Sequence, residues 1–139
     1  QLIWTDAKEH KYIEESGTMN VMFIIDDKLM TPPTSGTILP GITRTSVLQI
    51  ARDWGMDVEE TSIHVDTVLD ALEDGRLTDA FGVGTAATIA QIKLIGYHGK
   101  DYELPPVETR DFSNKIYKYL EDLKRGRIED KYGWNVEVG

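Results

Sequence analysis

Apolar and polar positions along the chain alternate in a way that divides it into short strands and a few helices. Asn20 to Ile25 is a strand with an unbroken apolar run from Val21, Asp26-Asp27-Lys28 is a hairpin turn, and Leu29-Met30-Thr31 returns before Pro32-Pro33 stops the pairing. Leu2 to Trp4 and Tyr12-Ile13 are shorter strand candidates separated by the polar segment from Asp6 to Lys11. Between Arg44 and Trp54, residues Val47, Leu48, Ile50, Ala51 and Trp54 recur on one helical face, and Gly55 supplies the stop. Val58 to Val65 reads as a strand whose polar centre, Glu59 to Ser62, suits a sheet edge. Asp66 can cap a short helix carrying Val68, Leu69 and Leu72, closed by Gly75.

Ala80 to Val83 resumes a strand, Thr88 to Ile95 is a β-rich run, and Gly99-Lys100-Asp101 is a hairpin turn before Tyr102 to Leu104. A last helix, started by Asp111 or Ser113, places Phe112, Ile116, Tyr119, Leu120 and Leu123 on one side before Gly126. Strands and helices mix throughout without repeats or low-complexity linkers, so the expected fold is one α/β domain on a mixed sheet.

Composition narrows the function. The 139 residues, 40% hydrophobic, fit one domain with a real core. The longest apolar run, Val21 to Ile25, is far short of the roughly 20 residues of a spanning helix, so no membrane role is expected. The absence of cysteine excludes disulfides and thiolate chemistry, and without a secretory leader the expected location is cytoplasmic. A net charge of −9 argues against nucleic acid as a partner. His10, His64 and His98 have no metal-ligand spacing and read as surface histidines, the serines lack a G-x-S-x-G elbow, and Trp4, Trp54 and Trp134 read as packing residues. Gln1 is not an initiator and Leu2-Ile3-Trp4 already reads as a strand, so the sequence is expected to be part of a longer protein.

Three segments carry candidate chemistry. In Ile38-Leu39-Pro40-Gly41-Ile42-Thr43-Arg44 a Pro-Gly turn leads into a helix, with Thr43 at the N-cap or first turn, where unpaired N–H groups can converge on a phosphate. An ordinary capped loop explains it as well, and Arg44 can assist an anion or face solvent. In Glu14-Glu15-Ser16-Gly17-Thr18-Met19-Asn20 a carboxylate can hold a proton on a cofactor ring nitrogen or be a solvated turn acid. In Gly82-Val83-Gly84-Thr85-Ala86-Ala87, small residues allow close approach of a ligand to the backbone, or of a packed neighbour.

Taken in order, with Thr31-Pro32-Pro33 and Gly126 to Trp134, these segments closely resemble the branched-chain amino acid aminotransferases among the fold-type IV pyridoxal-phosphate enzymes. The resemblance implies the large domain of that fold, a pseudo-barrel with flanking helices, over residues 1–139 as a C-terminal cofactor-binding domain. It implies that Glu15 bonds the pyridine nitrogen, that Gly41, Ile42 and Thr43 form the phosphate turn, and that Leu39 packs on the ring. Thr85 matches a second phosphate ligand, the backbone of Thr85-Ala86-Ala87 a dock for the substrate carboxylate, and Thr18 and Met19 the active-site lining. The activity implied is transamination between leucine, isoleucine or valine and 2-oxoglutarate, by a homodimer.

The Schiff-base lysine of the family matches none of Lys8, Lys11, Lys28 or Lys93, and the small N-terminal domain has no counterpart, so these residues alone are expected to be inactive. Ala90-Gln91 stands where members often have Ser-Pro, and Ser16 where a larger apolar residue is common. D-amino acid aminotransferases and aminodeoxychorismate lyases share the fold and the turn. A non-catalytic module that binds phosphate or cofactor is the alternative of another class.

Overall fold

The computed structural model describes residues 1–139. Its centre is β3 (Met19–Ile25), which pairs along its length with β7 (Leu77–Val83) and at its two ends with β2 (Tyr12–Ser16) and β4 (Lys28–Thr31), all antiparallel. Val21 to Ile25 are all buried because both faces of this strand are covered. Val21, Phe23 and Ile25 enter one apolar cluster with α2 (Val65–Glu73), while Met22 and Ile24 enter a second with α1 (Ile42–Asp53) and α3 (Asp111–Lys124). The two-residue period of the strand thus serves two cores at once.

β1 (Ile3–Thr5) pairs with β2, and β5 (Asp57–Glu60) runs parallel to β4 at the opposite edge, as its polar centre implied. The Val58 to Val65 run is two elements, because the chain leaves the sheet at Thr61-Ser62 and returns as β6 (Ile63–His64) against β2. Thr88 to Ile95 divides likewise into β8 (Ile89–Gln91), beside β7, and β9 (Leu94–Tyr97), which forms a separate hairpin with β10 (Lys100–Glu103). That hairpin turns on His98 and Gly99, both at positive φ, one residue earlier than the spacing suggested.

α1 buries Val47, Leu48, Ile50 and Ala51 as the periodicity predicts, and Gly55 closes it at φ +78°. α2 begins one residue before its expected cap, so His64 takes that role, its Nδ1 accepting the Asp66 N–H at 3.1 Å. Of the tryptophans, Trp54 packs edge-on against Phe112 and Tyr119, whereas Trp4 is 52% exposed and donates from Nε1 to the Gly17 carbonyl.

Candidate functional site

The site is assembled where β2 ends, β3 starts and α1 begins. Gly17, at φ +59°, turns the chain from β2 to β3 and brings Glu15 opposite Asn20. Glu15 Oε1 accepts the Leu39 N–H at 3.0 Å, and Asn20 Nδ2 donates to the Leu39 carbonyl at 2.8 Å. Thr37 donates its hydroxyl to Glu14 at 2.9 Å, so both acids of the Glu14-Glu15 pair are tied to the 35–41 loop. Glu15 is therefore bound to the turn rather than solvated alone.

Gly41 is the N-cap of α1 and carries no side-chain cap, so the N–H groups of Ile42, Thr43 and Arg44 open the helix without an intrahelical acceptor. Thr45 and Ser46 turn their hydroxyls back on the carbonyls of Gly41 and Ile42, while the Thr43 hydroxyl makes no such bond. Leu39 and Ile42 flank the turn at 69% and 87% exposure, an apolar pair left uncovered beside an anion-ready helix start. A phosphorylated cofactor fits this donor set, and the turn beneath it is tightly packed: a Cβ on Gly41 would stand 2.4 Å from Asn20 Oδ1.

Arg44 does neither thing expected of it. It is 4% exposed and points inward, donating from Nη2 to the Pro32 carbonyl at 3.0 Å and to Glu60 Oε1 at 2.8 Å, which braces the start of α1 against the ends of β4 and β5. The Arg44 hydrogen bond, helped by Arg52 and opposed by burial, holds the Glu60 carboxyl below its ordinary range. A lowered folded value means that stability is present above the unfolded carboxylate value and is lost as pH falls through the folded one. Glu60→Gln should therefore cost about 1 kcal/mol at neutral pH, discounted for the screening of a partly exposed carboxylate, with the gap to wild type closing in acid. Urea unfolding at neutral and acidic pH measures it.

Thr85, Ala86 and Ala87 are exposed in the loop leaving β7 just after Val83, the register partner of Asn20, so the loop emerges beside the same sheet end as the turn. No hydrogen bond joins Thr85 to Thr43. The small residues of Gly82-Val83-Gly84 are explained by a protein neighbour: a Cβ on Gly82 would lie 2.9 Å from Met19 Cε, and one on Gly84 3.0 Å from Met19 Cγ. Met19 thus lies across both glycines, and Thr18 is exposed in the preceding turn. Gln91 donates to Ser113 and Asn114, both at 2.8 Å, and ties β8 to α3.

A sizeable cavity lies elsewhere. About 700 Å³ of mainly apolar space lies between β1, α2 and β9, walled by Ile3, Ile13, Val68, Leu69 and Ile95. Met19 is the only sequence-derived candidate on its lining. Asn20 is not singled out by the sequence because its partner Leu39 is 19 positions away, and Arg44 reads as assisting an anion or facing solvent because its partners Pro32 and Glu60 are 12 and 16 positions away.

The mixed sheet with flanking helices is the fold of the fold-type IV aminotransferases. It superposes on the branched-chain amino acid aminotransferase from Escherichia coli with a TM-score of 0.76 and 27% identity, covering 95% of this chain and 41% of that one. The branched-chain aminotransferase from the thermophilic archaeon Thermoproteus uzoniensis, solved with norvaline, matches with a TM-score of 0.75 and 31% identity, over 94% of this chain and 38% of that one. A further branched-chain amino acid aminotransferase, from T.th. and solved with pyridoxamine 5′-phosphate, matches with a TM-score of 0.73 and 26% identity, over 94% of this chain and 40% of that one. Residues 3–95 match the family described as amino-transferase class IV, and the chain belongs to that family. A probable branched-chain-amino-acid aminotransferase of Staphylococcus epidermidis (strain ATCC 35984) is 41% identical over 138 residues, 99% of this chain. The chain spans 38% of that relative's length.

Proposed function

We propose that these residues form the C-terminal cofactor-binding domain of a branched-chain amino acid aminotransferase that uses pyridoxal 5′-phosphate to move amino groups between leucine, isoleucine or valine and 2-oxoglutarate. The observation that carries the reading is the Leu39 turn, which sets Glu15 on one side and the free N–H groups of Ile42 and Thr43 on the other. The relatives' names and the ordered motifs support the substrate class. When bound, the cofactor supplies an electron sink for charge developing at the substrate Cα.

Each residue has a role in that reading. Glu15 holds a proton on the pyridine nitrogen, since an adjacent negative charge favours the protonated form. The N–H groups of Ile42 and Thr43, the Thr43 hydroxyl and Thr85 hold the phosphate, with Gly41 opening the helix over Asn20 and Leu39 packing on the ring. Thr18, Met19, Ala86 and Ala87 line the substrate side, the Thr85 to Ala87 backbone meeting the carboxylate. Lys28, Lys100 and Lys118 are paired with acids away from this site, and in this reading the reactive amine is supplied by a residue outside these 139, since by resemblance Lys8, Lys11, Lys28 and Lys93 match no catalytic position. Assembly as a cytoplasmic homodimer belongs to the same reading.

The test is turnover. A full-length polypeptide containing these residues, supplied with pyridoxal 5′-phosphate, should form glutamate from L-leucine and 2-oxoglutarate faster than it consumes D-alanine. The isolated 139 residues should form none. Preference for D-alanine would reassign the substrate class, and absence of a cofactor absorbance band in the full-length protein would sink the reading.

A further inference from the structure

Glu15 and Asn20 are opposed across the β2–β3 ladder, and both side chains reach the same residue. Glu15 takes the Leu39 N–H and Asn20 gives a hydrogen bond to the Leu39 carbonyl, which also accepts the Gly41 N–H at 2.9 Å. The backbone of Leu39 is therefore held on both polar groups while its side chain stays exposed. Asn20 itself is only 6% exposed, so a lost partner would leave a desolvated amide, which gives the contact directional weight.

Gly41 shows how closely this contact is built. Its φ of −63° is open to any residue, so conformational freedom does not explain the glycine. Space does, because a Cβ there would collide with Asn20 Oδ1. The wedge under the turn is Asn20, and the next residue after Gly41 opens α1. Glu15 spends Oε1 on Leu39 and keeps Oε2 without a hydrogen-bond partner.

We propose that Asn20 is a positioning residue: with Glu15 it clamps the Leu39 backbone, so that the carboxylate aimed at the ring nitrogen and the helix start aimed at the phosphate are held as one unit. The inference rests on the cofactor reading above, and it adds a residue that touches neither end of the cofactor. Its consequence is that loss of Asn20 loosens the phosphate turn while the strand that carries Asn20 stays folded.

Hydrogen exchange on the cofactor-free form of a full-length polypeptide containing these residues, with and without pyridoxine 5′-phosphate as a probe that lacks the reactive aldehyde, tests this. In Asn20→Ala the Leu39 amide should exchange on the order of 5-fold faster, the effect of one hydrogen bond, while the Phe23 and Ile24 amides of β3 keep their protection. The probe should slow the Ile42 and Thr43 amides in wild type, and do so much less in the variant. Gly41→Ala, which displaces Asn20 without removing it, should reproduce both changes and guards against a variant that simply unfolds. Unchanged Leu39 exchange in both variants with β3 intact would overturn the clamp, as would equal protection of Ile42 and Thr43 by the probe in wild type and variants. If the probe protects neither amide in wild type while Leu39 still responds to Asn20→Ala, the cofactor reading fails, and the positioning role fails with it for that separate reason.

Discussion

Replacing Asp79 by Ala lowers the unfolding free energy by about 3–5 kcal/mol, the cost of removing one partner from a buried ion pair. The Asp79 side chain is 3% exposed and that of Arg110 1%, with 3.6 Å between Oδ1 and Nη1. Asp79 Oδ2 accepts the Ser113 N–H at 2.9 Å in the first turn of α3, which fastens that helix to β7 and favours a negative charge near its N-terminus. Without the carboxylate, Arg110 keeps only the carbonyls of Pro105 and Ala80. Burial pushes the Asp79 carboxyl up, against the opposing hydrogen bonds of Ser113 and the charge of Arg110, and its Oδ1 has no hydrogen-bond partner. A raised folded value means that the folded chain binds more protons between the ordinary carboxylate range and that value, so this group's contribution falls as pH rises through the window. Asp79→Asn, which keeps an acceptor for Ser113, should cost less than Ala and flatten that slope. Asp79→Leu with Arg110→Met should recover most of the loss, since an apolar pair has no charge to desolvate. Urea unfolding of the four chains decides it, and an Ala variant with the wild-type midpoint would refute the pair's importance.

Asp79 also marks the limit of what the sequence could reveal. Val21 to Ile25 and the Val47-to-Ala51 stripe were legible because local periodicity and burial agree there. Asp79 sits in a strand of otherwise apolar and small residues, and its meaning depends on Ser113, which lies 34 positions away. The break in the Thr88 to Ile95 run was equally hidden. Its residues favour a strand throughout, but the Lys93 carbonyl accepts the Leu104 N–H and the chain is drawn to a second hairpin. Arg44 at the helix start could be read as assisting an anion or facing solvent, because only its local position was visible, whereas Glu60 on β5 decides where it points. The three site motifs were readable in order, and the structure adds what joins two of them, the Leu39 peptide between Glu15 and Asn20. The third, around Thr85, is placed by β7 beside the same sheet end.

That join makes the second large effect separable from misfolding. On the proposed function, Glu15→Gln in a full-length polypeptide containing these residues should lower transaminase kcat on the order of 10²–10³-fold, the scale of losing one preorganised electrostatic contact to developing charge. Glutamine has nearly the same shape, and its amide oxygen can still accept the Leu39 N–H that Glu15 accepts at 3.0 Å. The turn and the free N–H groups of Ile42 and Thr43 are therefore left in place, and affinity for the phosphate end should change little. On the proposed cofactor reading, what is lost is the negative charge that would keep a proton on the ring nitrogen, and the protonated ring is the better electron sink. Glu15→Ala removes the charge and the Leu39 acceptor together, so it should lose cofactor affinity as well as kcat. Titrating pyridoxal 5′-phosphate into both variants while measuring kcat at saturation separates the two contributions. If Gln keeps wild-type kcat, Glu15 acts only through Leu39 and its charge has no part in the reaction. If Gln loses kcat with unchanged cofactor affinity, the charge acts on the ring and the hydrogen bond acts on the turn, two functions carried by two oxygens of one carboxylate.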